Sequence, residues 1–255
     1  MMDVATEEGK YIYCIIGLNK FQSFGALGIG ERGDELYTVF FNNISAVVSN
    51  SPITKYPISR ENTIAHEKAT EEAMKTYTVL PVRFCTIAKD EEKIKKILEK
   101  EYDRFSGLLK NMEDKKELGL KATFKEDIYK DILEKYEDIR VLKEKLAPLP
   151  PEKTYFKRVE LGEKVETALK REKEIYKKNI LNILSPLAVE VKTNDTYGEL
   201  MIVSAAFLVE KNKEAEFDQR VQELVKNYAD KTKFKYVGTT PPFSFVNLIL
   251  ETGEY

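Results

Sequence analysis

The groups with the reactivity to do chemistry are scattered along this sequence. Gly28-Ile29-Gly30-Glu31-Arg32-Gly33 has the spacing G-x-G-x-x-G, which in a dinucleotide-binding turn lets the backbone close around a pyrophosphate at a helix N-terminus. That use requires a strand leading in and a helix leading out. Here a strand pattern follows, and no acidic residue ends a second strand about 20 positions on. The glycines are therefore expected to give a loop between strands its positive φ angles. His66 is the only histidine, and His66-Glu67 lacks the second histidine of the H-E-x-x-H zinc pattern. A lone histidine on a helix is expected to be structural. Cys14 and Cys85 lie in the apolar runs Tyr11-Ile-Tyr-Cys-Ile-Ile16 and Val82-Arg-Phe-Cys-Thr-Ile87 and form no C-x-x-C, the setting of buried, unreactive thiols. A Cys85–His66 nucleophile pair ranks below that reading. Arg60 and Arg83 each interrupt a structural segment. An ion pair with Glu61 or Glu67 that ties helix to sheet is weighed against a partner-binding role and preferred. No cofactor or metal is expected, and no catalytic group.

The whole chain supports that restraint. Its 255 residues carry 41 Lys and Arg against 43 Asp and Glu, for a formal net charge of -2, so no long-range field attracts nucleic acid or anionic lipid. Hydrophobic residues at 42% and charged residues at 33% describe a folded chain with a heavily charged surface. The stretch Met1 to Lys10 is polar and acidic, and no apolar run reaches the ~18 residues of a membrane span. A cytoplasmic protein is expected.

The elements that must position these residues follow from periodicity. Lys10 to Leu18 reads as a buried strand, and Leu36 to Phe41 with Ile44 to Ser49 as a hairpin turning at Asn42-Asn43. Ala65, Ala69, Ala73 and Tyr77 recur every four positions after Ser59, which predicts an N-capped helix over 60–77. Val79 to Cys85 reads as strand. Asp90 then caps one amphipathic helix running to Met112.

A strand over 117–124 opens the second half, followed by a charged helical stretch from Asp127 to Lys145 and the break Ala147-Pro-Leu-Pro-Pro151. A long helix over 152–184 comes next, then strands over 189–193 and 200–209 joined at Asn194-Asp195. A helix capped by Asn212 and strands over 233–237 and 243–250 complete the chain, the last apolar on both faces. The fold class is α+β with two domains, 1–113 and 114–255. The C-terminal one is a modified ferredoxin-like β-α-β-β-α-β unit with an extended helical crossover, its charged insertion at about 127–151.

Read together, the segments resemble the gas vesicle protein L/F family. The matching residues are Tyr11-Ile-Tyr13, Ile44-Ser-Ala-Val-Val-Ser49, Arg60-Glu-Asn62, Ala65-His-Glu67 and Val79-Leu-Pro-Val-Arg-Phe84, and further on Glu117-Leu-Gly-Leu-Lys121, Val159-Glu-Leu-Gly162, Ala205-Ala-Phe-Leu-Val-Glu210 and Pro241-Pro-Phe-Ser-Phe-Val246. Cys85 stands where glycine is usual in the family, and Gly238-Thr-Thr240 replaces the usual Gly-Pro-Leu lead into the double proline. The resemblance implies an accessory or minor structural protein of gas vesicles. Its implied partners are the small hydrophobic shell subunit and other accessory proteins, with no catalysis. A tandem ferredoxin-like regulator binding a small ligand is the alternative. Candidate partner-binding residues are Arg60, Arg83, Phe243 and Phe245.

Overall fold

Six consecutive fully buried residues, Tyr11 to Ile16, mark the strand around which the first half is built. The computed structural model describes residues 7–253, so the first six residues of the polar N-terminal stretch lie outside it. The chain divides into two compact units, Met1–Glu117 with Thr239–Tyr255, and Leu118–Gly238.

In the first unit β1 (Glu8–Ile16), whose unbroken apolar run fits burial on both faces, is also paired along both edges. On one side it pairs antiparallel with β4 (Ile44–Pro52), with a bulge between Ile12 and Cys14. Beyond β4 come β3 (Glu35–Phe41) and the short edge strand β2 (Ser23–Ala26), which the sequence reading lacks. On its other side β1 meets β5 (Val79–Pro81) and then β6 (Ile87–Ala88). The expected single strand over 79–85 is thus cut short. After Val82 the chain turns, and Cys85 takes a positive φ of 64°, the left-handed conformation that glycine adopts without strain.

Three helices pack on this sheet. α1 (Arg60–Met74) starts where expected, with the Ser59 side chain accepting from the Asn62 N–H at 3.2 Å. The Asp90 carboxylate likewise caps α2 (Glu91–Lys100) through the Lys93 N–H at 2.8 Å. The expected single helix breaks at Glu101, whose ψ of 11° is not helical, and continues as α3 (Tyr102–Met112). Because only one residue leaves the helix, Ile94, Ile97, Leu98, Phe105, Leu109 and Met112 all remain buried.

The tail, residues 239–253, belongs to this unit and is not the expected strand. Proline at 241 and 242 removes two N–H donors. The Phe245 and Val246 N–H groups bond back to the Pro242 carbonyl, forming a turn. Only Leu248 bridges to the sheet, parallel to Val82. Burial then alternates through Val246 and Leu248, while Ile249 is 63% exposed, so the segment is not apolar on two covered faces.

The second unit has a four-stranded sheet in the order β10-β7-β9-β8, formed by β7 (Lys115–Phe124), β8 (Glu190–Asn194), β9 (Met201–Glu210) and β10 (Thr232–Thr240). Between β7 and β8 run α4 (Ile128–Lys135), α5 (Glu137–Leu146) and the 34-residue α6 (Pro151–Leu184). Pro151 occupies the first helical turn, where its missing N–H costs nothing. Arg158 fastens the preceding break by donating to the Leu146 and Leu149 carbonyls, each at 3.1 Å.

Between β9 and β10 lies α7 (Glu214–Asn227); its first turn is preceded by a 3-10 turn over Lys211–Lys213 that contains Asn212, so the expected cap is not formed. The core joins Phe124, Ile132, Leu169, Ile180, Phe207 and Phe217.

Candidate functional site

The chemistry-bearing residues of the first half converge on one side of β1. Tyr11 and Tyr13, the latter at the bulge, pack together with ring centroids 4.8 Å apart and meet His66, delivered by the second turn of α1. The Cys85 N–H donates to the Tyr11 hydroxyl at 2.8 Å. That hydroxyl lies 3.1 Å from His66 Nδ1, so its own proton is free to donate to the imidazole. The neutral His66 then carries its proton on Nε2, which is buried without a hydrogen-bond partner. Around the ring stand Tyr11, Tyr13, Phe84 and Phe243, with centroids 5.7 to 6.2 Å away.

Tyr13 continues the network. Its hydroxyl accepts from the Ile29 N–H at 2.8 Å and lies 2.8 Å from Ser49 Oγ. The glycine motif is thereby placed: it forms the loop between β2 and β3, with Gly30 and Gly33 at φ of 82° and 70°, and Tyr13 holds its Ile29. No helix follows it.

Burial decides the charge state of these groups. Desolvation pushes His66 down to about 4, and the nearby Val82 backbone offsets part of the shift. Desolvation pushes Tyr13 up to about 12 and raises Tyr11 and Cys14 as well. All four are neutral at pH 7. Cys85 Sγ accepts from the Tyr56 N–H at 3.3 Å and is directed at the Thr54 carbonyl at 3.9 Å. It has no hydrogen bond to His66; the two share Tyr11 instead.

The same face receives the tail. Glu117, only 7% exposed, accepts from both the Ser244 N–H at 2.9 Å and the Ser244 hydroxyl at 2.6 Å. The Arg83 N–H donates to the Leu248 carbonyl at 2.9 Å, and the Leu248 N–H to Pro81 at 3.2 Å. Arrangements of this kind fasten chain segments through neutral groups and one paired carboxylate. Glu117 escapes sequence reasoning because a glutamate opening a strand at an alternate position reads as solvent-facing.

The candidate residues fall into two kinds. Phe243 and Phe245 are half-buried, Phe243 against His66. Arg60 and Arg83 are exposed, and neither forms an ion pair among the described residues, which corrects the preferred expectation of a pair with Glu61 or Glu67. Arg83 sits past the end of β5, where its side chain points to water.

Comparison with known proteins places the chain. It is 28% identical over 198 residues to gas vesicle protein F of Dolichospermum flosaquae, covering 76% of this chain and 80% of that protein. It is 23% identical over 218 residues to gas vesicle protein F1 of Halobacterium salinarum, covering 84% and 83%. Two crystal structures share its fold. GvpF of an Anabaena species has a TM-score of 0.78 at 24% identity over 95% of this chain and 99% of the other. GvpF of Microcystis aeruginosa has 0.75 at 23% identity over 94% and 99%. The family of gas vesicle synthesis proteins GvpL/GvpF matches residues 9–247, and the chain belongs to that family.

Proposed function

We propose that this protein is an accessory factor of gas-vesicle assembly that binds the hydrophobic shell subunit and keeps it from aggregating before it enters the wall. The family match over residues 9–247 carries the reading. A subunit that presents an apolar face to gas is insoluble alone, and a partner with a heavily charged surface keeps such a complex dispersed. The second unit, with strand order β10-β7-β9-β8, is read as ferredoxin-like, its crossover lengthened by α4, α5 and α6. The location proposed is the cytoplasm and the vesicle.

The docking face proposed is the start of α1 and the turn after β5. Ile58 is 88% exposed, next to the capping Ser59 and the exposed Arg60. Arg83 adds a second unpaired guanidinium on this unit. Phe243, packed against His66 of α1, and Phe245 are proposed to contribute from the tail. Co-expression with the shell subunit, followed by pull-down and sedimentation, tests the reading. The subunit is expected to co-purify and to gain solubility, and Ile58→Asp with Arg60→Glu to reduce both. A subunit that neither co-purifies nor stays in solution rules out direct chaperoning.

A further inference from the structure

A different surface, on the second unit, carries an inference independent of that reading. β8 ends its sheet. Four of its five residues are exposed, and Val191 alone is partly covered. Among the described residues no strand pairs with its outer edge. Proteins commonly blunt such an edge with a bulge, a proline or repelling charges. β8 has no proline, and its register with β9 runs from Glu190↔Leu208 to Asn194↔Ser204 without a shift.

The charges on β8 are arranged for self-pairing. Glu190 and Lys192 alternate with Val191, so they share one face, and their side chains already approach to 3.7 Å. In an antiparallel pair, residues directly opposite each other lie on the same face. Two copies of β8 aligned about Val191 therefore place each Glu190 opposite Lys192 of the other copy, twice by symmetry. The opposite end of the sheet differs. On β10 the exposed Lys233 and Lys235 would face each other in the register centred on Phe234, and in the register centred on Lys235 that lysine would face its own copy.

We propose that β8 is a self-association edge, pairing antiparallel with β8 of a second copy to join two four-stranded sheets into one of eight strands. The contact is isologous, so it closes as a dimer. A short edge of this size gives a weak dimer, populated at about 100 µM and above.

Sedimentation equilibrium of the full chain tests this with substitutions confined to exposed side chains. Glu190→Lys alone and Lys192→Glu alone place like charges opposite each other at both symmetric positions, and each is expected to weaken dimerisation by roughly tenfold. An equimolar mixture of the two variants restores opposite charges and is expected to dimerise at least as well as the wild type. The doubly exchanged chain, Glu190→Lys with Lys192→Glu, is expected to match it. A wild-type chain that stays monomeric at about ten times that concentration overturns the proposal, as do single variants that dimerise unchanged or a mixture no better than its parts. Failure here leaves shell-subunit binding untouched, since that is read by pull-down on the first unit.

Discussion

Acid should unfold this protein early, and a single residue should account for the early part. Burial holds His66 neutral in the folded state, with its pKa near 4 against an ordinary 6.5. As pH falls through 6.5 the unfolded chain binds a proton that the folded chain refuses, so stability is lost until the folded protein itself titrates near 4. At about 1.4 kcal/mol per pH unit the loss totals about 3 kcal/mol, of which about 2 kcal/mol falls between pH 7 and 5. Most carboxylates are still ionised over that upper interval.

The assay is urea denaturation followed by circular dichroism at pH 7, 6 and 5, on the wild type and on His66→Phe, whose ring suits the surrounding aromatic cage. The variant is expected to keep nearly constant stability across the interval where the wild type weakens. Since the chain has one histidine, the resonance of its Cε1 proton reports its titration by NMR without overlap from another imidazole. Parallel loss in both proteins, or a resonance titrating near 6.5, refutes the reasoning.

Three further outcomes follow from the same contacts. Glu117→Ala removes an acceptor of two hydrogen bonds from Ser244 and should cost about 2 to 3 kcal/mol; Ser244→Ala, which keeps the backbone donor, should cost about half as much. Cys85→Gly should change stability by no more than about 1 kcal/mol because its φ of 64° suits glycine, while Cys85→Val at that angle should lose more than that, both read by chemical denaturation. Arg158→Ala frees the carbonyls of Leu146 and Leu149, and limited trypsin digestion should then cut faster at Lys145 and Lys153.

Local signals explain which parts of the fold can be read from sequence. Ser59 and Asp90 announce their helices because a capping oxygen is a property of one residue and its near neighbours. The run from Tyr11 to Ile16 is legible as a central strand because burial on both faces leaves no polar alternation. The break at Glu101 leaves no mark, since Leu-Glu-Lys-Glu-Tyr-Asp contains neither proline nor glycine and the apolar face continues through it. The tail misleads for the opposite reason. Phe243 to Leu250 has the composition of a buried strand, but Pro241 and Pro242 start a turn, and Leu248 is held by the region around Val82, far away in sequence. Of the site, Tyr11, Tyr13 and His66 stand in segments that match the family. Their convergence and the role of Glu117 depend on contacts between distant residues, which periodicity does not record.

The pairing of Ser244 with Glu117 spans 127 residues of chain, and that span sets an order of events during synthesis. The first unit leaves the ribosome without Ser244 to donate to Glu117, and the segment that supplies it follows the whole second unit. At about 5 to 20 residues per second, translation of the intervening chain takes roughly 6 to 25 seconds. Throughout that interval His66 lacks its contact with Phe243, and Val82 its bridge to Leu248. Closure by the tail is therefore a late step: a chain truncated before Pro241 loses the contacts of Phe243, Ser244 and Leu248 and is expected to bind an apolar dye more strongly than the full chain, read by fluorescence.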